Sequence, residues 1–336
     1  MKPVLFIGGS GLVGSRAVRT LRQLQPDLPI AIGARDLAKA DALAREIGGA
    51  GAVTIDLGRQ DLGLPADAGY SAVVVLLKDA GLHSMRFAQA RALPYVSFSD
   101  FVFDIGPEVA LHVRRPNSAP VLLLGQYLGG TAALAALHFA REFRRVDSIA
   151  IGGLLDADDL GGPVAQADIE RLGHGTPRPL LRHEGRWLWA NEAETRRRLV
   201  DADGLAHEGQ AYPLLDVVSL AAATGAPSIR VDLAIREGRR RAAPSHEVIV
   251  EIAGELQGGR QGATRHALID GDVYSGLSAR GVALAVERLL GLAGGSAVVP
   301  GLYHPEELLD PAYVVERLQG FGTEIRRLPG TGHLVD

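Results

Sequence analysis

At 336 residues, with 47% apolar and 22% charged side chains, the chain has the composition of a folded protein of two domains or one enlarged one, which excludes disordered, collagen-like and coiled-coil classes. Its 35 basic against 39 acidic residues give a net charge of −4, so the broad positive field needed for nucleic acid or an anionic membrane is missing and a small molecule is the expected partner. The absence of cysteine excludes disulfide frameworks, thiolate zinc sites and cysteine nucleophiles, and it suits a reducing cytoplasm, the expected location.

The amino terminus, Met1-Lys2-Pro3-Val4-Leu5-Phe6-Ile7-Gly8-Gly9, carries an apolar run too short for a signal peptide or membrane span. No later segment supplies about 18 uninterrupted apolar residues. Up to residue 125, short β-branched runs alternate with stretches of helical period, which predicts strand-then-helix units around a parallel sheet. The predicted strands are Val4 to Gly8, Pro29 to Ala34, Ala52 to Ile55, Ser71 to Leu77, Pro94 to Phe98 and Pro120 to Leu124, each almost continuously apolar as strands covered on both faces must be. Between the first two, Val13, Ala17, Val18, Leu21 and Leu24 fall on one side of an amphipathic helix and Arg16, Arg19 and Arg22 on the other.

From Gly129 the texture changes, with a helix of small residues at Thr131 to Leu137 and then long alternating strands. Strands are expected at Ser148 to Gly152, Arg186 to Trp189, Ser228 to Ile235, Glu247 to Glu255 and Ala263 to Ile269, with Gly258 to Gly262 as a hairpin loop. A mostly antiparallel sheet follows. The apolar helix at about Ser275 to Leu290 and the terminal helix and strand are expected to return to the first domain. The organisation is thus a doubly wound α/β domain over 1–125, an α+β domain over 126–274 and a return over 275–336.

The strongest motif is Gly8-Gly9-Ser10-Gly11-Leu12-Val13-Gly14, a G-x-G-x-x-G at 9, 11 and 14 that closes a strand and opens a helix. A Cβ at the close-approach positions would hold the backbone away from a pyrophosphate, while helix N-terminal amides and the dipole attract that anion. The second strand ends Gly33-Ala34-Arg35-Asp36. A basic residue at this point receives the 2′-phosphate of NADP where a carboxylate would bond the ribose of NAD, so Arg35, with Lys39 one turn on, points to NADP over NAD. Asp36 is also the expected cap of the helix Leu37 to Ile47. Asp56, just past the third strand, is placed either against the adenine or in a surface turn.

Short-chain dehydrogenases open in the same way and use Tyr-x-x-x-Lys; none of the seven tyrosines here is followed four positions later by lysine. The basic charge is nearly all arginine, with lysine only at Lys2, Lys39 and Lys78, so a retained lysine marks a place for a compact ammonium.

Taken together, the glycine loop, the Ile32-Gly33-Ala34-Arg35-Asp36 segment with Lys39, the turn Gly125-Gln126-Tyr127-Leu128-Gly129-Gly130, the stretch Tyr274-Ser275-Gly276-Leu277-Ser278-Ala279 before a long apolar helix, and Pro300-Gly301-Leu302-Tyr303 with Pro305-Glu306-Glu307 resemble the saccharopine dehydrogenase-like (saccharopine reductase-like) NAD(P)-dependent oxidoreductases. The family often has proline where Leu128 stands. The resemblance implies a Rossmann domain interrupted by an α+β domain whose sheet often pairs in a homodimer. It also implies hydride transfer at a carbon bearing nitrogen.

The loops after the fourth and fifth strands should face the nicotinamide. The first brings Leu77, Lys78 and His83, with Lys78 a candidate for a ribose hydroxyl or a substrate oxygen and His83 a candidate proton donor. The second brings Asp100, a candidate for holding an iminium cation. Tyr127, at the turn between domains, is a candidate donor to substrate, with burial against the turn as the other reading. Trp187 and Trp189 fit packing or a dimer contact, and Arg196-Arg197-Arg198 and Arg239-Arg240-Arg241 read as solvated faces. No His-Glu-x-x-His occurs and no metal is expected. The expected function is NADP-dependent oxidation or reduction of a small imine or carbonyl compound; an atypical short-chain carbonyl reductase and a non-catalytic NADP sensor are the alternatives.

Overall fold

The computed structural model describes residues 1–98, 105–157, 178–236 and 245–330. Two units follow from the contacts, one of residues 1–125 with 278–309 and one of 126–277 with the chain from Asp310 onward.

The first unit runs β1 (Val4–Ile7), α1 (Leu12–Leu24), β2 (Ile30–Ala34), α2 (Leu37–Ile47), β3 (Ala50–Thr54), β4 (Ala72–Val75), α3 (His83–Ala90), β5 (Tyr95–Ser97), α4 (Ile105–Val113) and β6 (Pro120–Leu123). β1, β4 and β6 are buried along their whole length, which is why their sequences are unbroken apolar runs. Ala17, Val18 and Leu21 of α1 are fully buried, the expected face of the crossover helix. All six predicted strands are present. The chain from β3 to β4 makes no helix; residues 56–68 instead close a series of turns in which Leu62 is fully buried at φ 58°.

The second unit contains α5 (Thr131–Ala140), β7 (Phe143–Asp156), β8 (Leu180–His183), β9 (Arg186–Trp189), α6 (Glu192–Thr195), β10 (Arg196–Val200), β11 (Ala206–Ala211), α7 (Asp216–Thr224), β12 (Ser228–Arg236), β13 (His246–Leu256) and β14 (Gln261–Asp270). Helix α8 (Tyr274–Leu289) leads back to β15 (Gly301–Tyr303), and α9 (Pro305–Leu308), α10 (Pro311–Gly320) and β16 (Glu324–Arg327) end the chain. β15 pairs parallel with β6, giving a seven-stranded parallel sheet of order β15-β6-β5-β4-β1-β2-β3. The second sheet has the main order β10-β11-β12-β7-β13-β14-β16, antiparallel except for β12 with β7, and β8 and β9 branch from β12.

Two sequence expectations are corrected here. The terminal helix and strand do not return to the first unit: β16 pairs antiparallel with β14 from His266↔Arg327 to Ile269↔Glu324, and only 278–309 joins the first unit. The run Arg196-Arg197-Arg198 is not one solvated face. Strand alternation exposes Arg196 and Arg198 and turns Arg197 inward, where it pairs with Glu251 and, at 3.4 Å, with Asp232. Arg239, Arg240 and Arg241 lie outside the described residues.

The long β7–β13 ladder shifts register between Ala253 and Gly254. A Cβ at Gly254 would lie 2.1 Å from the Arg145 carbonyl oxygen, a backbone atom that cannot rotate away. Gly254→Ala should therefore cost about 1 to 3 kcal/mol, read as a lower denaturant midpoint at unchanged slope.

Candidate functional site

The glycine loop is held by its own backbone. Gly8, at φ 80°, donates to the Gly33 carbonyl at 2.9 Å, Gly9 to Phe6 at 3.2 Å and Gly11 to Gly8 at 3.0 Å. A Cβ on Gly14 would stand 2.3 Å from the Gly8 oxygen, and one on Gly9 2.9 Å from Phe6 Cβ. These two glycines let the first turn of α1 lie directly on the end of β1. Gly11 is exposed, and a Cβ there would meet only the Gly8 oxygen, at 3.2 Å. No side chain caps α1 and no acidic residue occupies its first turn, so the amides near Ser10, Leu12 and Val13 and the positive helix end face outward with no resident carboxylate. Leu77 lies against Gly8, its Cδ2 3.1 Å from where a Cβ would be.

Beside this cradle, Gly33 carries no Cβ because one would sit 2.8 Å from Ile55 Cγ1. Asp36 takes the expected capping role, its Oδ1 accepting from the Ala38 amide at 2.9 Å. Arg35 and Lys39 are both exposed, and neither makes an ion pair among the described residues. Two cations thus stand unneutralised next to a helix N-terminus. Asp56 is exposed and forms the surface turn, its Oδ1 accepting from Gly58 N at 2.9 Å.

The loop after β4 is more built than its sequence suggests. Lys78, Asp79, Leu77 and Leu82 line a cavity of about 10 Å³ together with Tyr95, Ser97 and Glu108. Asp79 Oδ2 accepts from both Ser84 N at 2.7 Å and Ser84 Oγ at 2.6 Å, and Ser84 Oγ lies 3.1 Å from Tyr95 Oη. His83 opens α3 with its Nδ1 2.8 Å from the Leu57 carbonyl oxygen. Asp79, Ser84 and Tyr95 were not singled out from sequence; the adjacency of Asp79 to Lys78 was the only available signal. Asp100 lies outside the described residues.

Tyr127 sits in the second unit. It is buried, with its hydroxyl 2.8 Å from His246 Nε2 and its amide donating to Asp216 Oδ2 at 2.7 Å. A Cβ on Gly153 would fall 2.0 Å from that hydroxyl, so this strand residue is glycine to make room for the ring. The following Leu128 has φ 56°. Proline's ring forbids that angle, so this backbone path has no room for proline at 128. Burial pushes the Asp216 carboxyl up to about 7 against the opposing backbone bonds from the Tyr127 amide and its own. Burial, aided by the charge of Arg236, pushes the His246 ring down to about 3.

Among the described residues no helix is long and apolar enough to cross a membrane, and no group of three His, Asp or Glu side chains could hold a metal ion. No family model and no curated protein matches the chain. Solved structures do. Saccharopine dehydrogenase (L-Glu forming) from Saccharomyces cerevisiae superimposes with a TM-score of 0.65 at 14% identity, covering 98% of this chain and 100% of that one. Amine dehydrogenase from Mycobacterium smegmatis gives 0.54 at 12% identity, with 92% and 96% covered. The chain therefore has a saccharopine dehydrogenase-like fold, a Rossmann sheet with a second, mixed-sheet unit.

The two buried titrating groups make opposite contributions to stability. Asp216, raised in the folded state, binds more protons folded than unfolded between about pH 4 and 7, so its contribution falls as pH rises. His246, lowered, binds fewer between about pH 3 and 6.5, so its contribution falls as pH drops. Over pH 4 to 6.5 they offset one another. Asp216→Asn, which keeps an oxygen for the Tyr127 amide, should unmask the His246 slope: stability rising with pH more steeply than in the native chain, by up to about 1.4 kcal/mol per unit, measured from denaturant midpoints at pH 4.5, 5.5 and 6.5.

Proposed function

We propose that this chain is an NADP-dependent oxidoreductase of the saccharopine reductase-like kind, moving a hydride to or from a small imine or carbonyl compound derived from an amino acid. The observation that carries the reading is the bare cradle at Gly8 to Gly14 beside Arg35 and Lys39, two exposed cations without partners among the described residues. The fit is good on both counts. Gly9 and Gly14 keep side chains out of the loop, and the uncapped start of α1 offers amides to a diphosphate. Arg35, a planar fork, and Lys39 suit a 2′-phosphate at the end of β2.

A bound nicotinamide supplies or accepts the hydride. The chain's own residues bind and orient: Leu77 backs the loop at Gly8, and Lys78 is the candidate for a ribose hydroxyl or a substrate oxygen. Reduction of an iminium asks little of a proton donor, because its nitrogen already carries the charge that makes the carbon electrophilic. Two solved structures of this fold bear names that place nitrogen compounds at their sites, one forming L-Glu and one an amine dehydrogenase. A cytoplasmic homodimer belongs to the same proposal. Trp187 and Trp189, on β9, are 46% and 54% exposed in the single chain, which supports a contact between copies.

Purified protein titrated with NADPH and NADH, followed by cofactor fluorescence, tests the reading. The native chain should bind NADPH more tightly, and Arg35→Asp should cost roughly tenfold to a hundredfold in NADPH affinity with little change for NADH. Equal affinities in both proteins would remove the phosphate role of Arg35, and failure of either nucleotide to bind the native chain would overturn the function.

A further inference from the structure

We infer that His83 is a positioning residue of the nucleotide site, a tie that fixes the loop after β3 against the loop after β4. The inference rests on the reading of this region as an NADPH site and adds a role for a residue that does not touch the phosphates. A carbonyl oxygen can only accept, so the 2.8 Å contact with Leu57 requires the proton on His83 Nδ1. The ring is also seated. A Cβ on Gly81 would lie 3.2 to 3.3 Å from three of its atoms, so the glycine lets the imidazole lie flat on the loop that precedes it.

What the tie joins gives it a function. The loop after β3 is closed on itself, with Asp56 N donating to Leu62 O at 3.0 Å, Arg59 N to Asp56 O at 3.1 Å and Gly58 N to Asp56 Oδ1 at 2.9 Å. It springs, however, from an edge strand that has a neighbour on one side only. The loop after β4 is equally closed, with Asp79 holding Ser84 and Leu82 donating to Asp79 O at 3.0 Å. Their parent strands are separated in the sheet by β1 and β2, the strands that carry the glycine loop and Arg35. Two internally rigid pieces flank the strand ends where the dinucleotide lies, and the imidazole of His83 sets the spacing between them.

Affinities of the native chain, His83→Ala, His83→Asn and His83→Gln for NADPH and for adenosine 2′,5′-bisphosphate decide the matter. Loss of the bond should weaken both ligands about three- to tenfold in His83→Ala. The amide nitrogen of asparagine occupies the place of Nδ1, so His83→Asn should recover to within about twofold, while His83→Gln, whose nitrogen reaches the place of Nε2, should not. Native-like affinities in His83→Ala, or an asparagine variant as weak as the alanine one, overturn the inference while leaving the NADPH reading intact. A native chain that binds neither nucleotide overturns that reading instead. Hydrogen exchange of the free proteins guards against simple unfolding: faster exchange in His83→Ala confined to residues 57–62 supports the tie, and acceleration spread over β1 to β6 overturns it.

Discussion

The first unit depends on one close approach, that of the opening turn of α1 to the end of β1. With 2.3 Å between the Gly8 oxygen and the place where a Cβ on Gly14 would be, helix and loop touch through backbone alone. Any side chain at 14 pushes the helix off the strand. Beside this contact the anion site is open, because the N-cap Gly11 brings no capping side chain and the first turn of α1 holds no acidic residue. Packing and ligand binding are therefore not separate demands on the glycine loop. Gly9 and Gly14 are fixed by the fold, and only the exposed Gly11 is left to answer to something outside the chain.

That division explains how far the sequence could be read. Strands buried on both faces write themselves as unbroken apolar runs, so β1, β4 and β6 were visible in the sequence, the half-exposed edge strand β3 was found two residues late, and the helix cap at Asp36 followed from local rules. β10 was hidden for the opposite reason. Its Arg196-Arg197-Arg198 has no apolar alternation to detect, because the inward position is filled by an arginine paired with Glu251 and Asp232, two carboxylates supplied by other strands. β16, Glu-Ile-Arg-Arg, is equally polar and gains its place only through pairing with β14. The partners of Tyr127 were out of reach altogether: Asp216 is 89 and His246 119 positions away, and nothing local distinguishes either from an ordinary polar residue.

The second unit is organised by buried charge to an unusual degree. Arg236, almost wholly buried, bridges Asp156 at 2.8 Å and Glu247 at 3.0 Å, joining the ends of β7, β12 and β13. Further along the sheet, Arg230 holds Asp232 at 2.6 Å, and Arg265 holds Glu251 at 3.2 Å. Desolvating such pairs costs much of what their attraction returns, so they add less to stability than their number suggests. Their effect is on register. A one-residue slip of β12 against β7 would carry Arg236 away from Asp156 and leave charges buried without partners, a far larger penalty than the misplacement of an alanine.

Tyr127 stands on the same principle with uncharged groups. Its amide and its hydroxyl reach two different elements of the second unit: Asp216 Oδ2 accepts from the amide, a bond that opposes the upward push of burial on the carboxyl, and burial keeps His246 neutral so that Nε2 can accept the phenol proton. A charged imidazole would have no lone pair at Nε2 to offer. The turn that follows, with Leu128 at φ 56° and Gly129 and Gly130 also in the left-handed region, is a strained path for the chain, and it persists because the residue before it is fastened at both ends. The two bonds tie the turn to α7 and β13, elements 89 and 119 positions further along the chain, so the constraint exists only once both have folded around it.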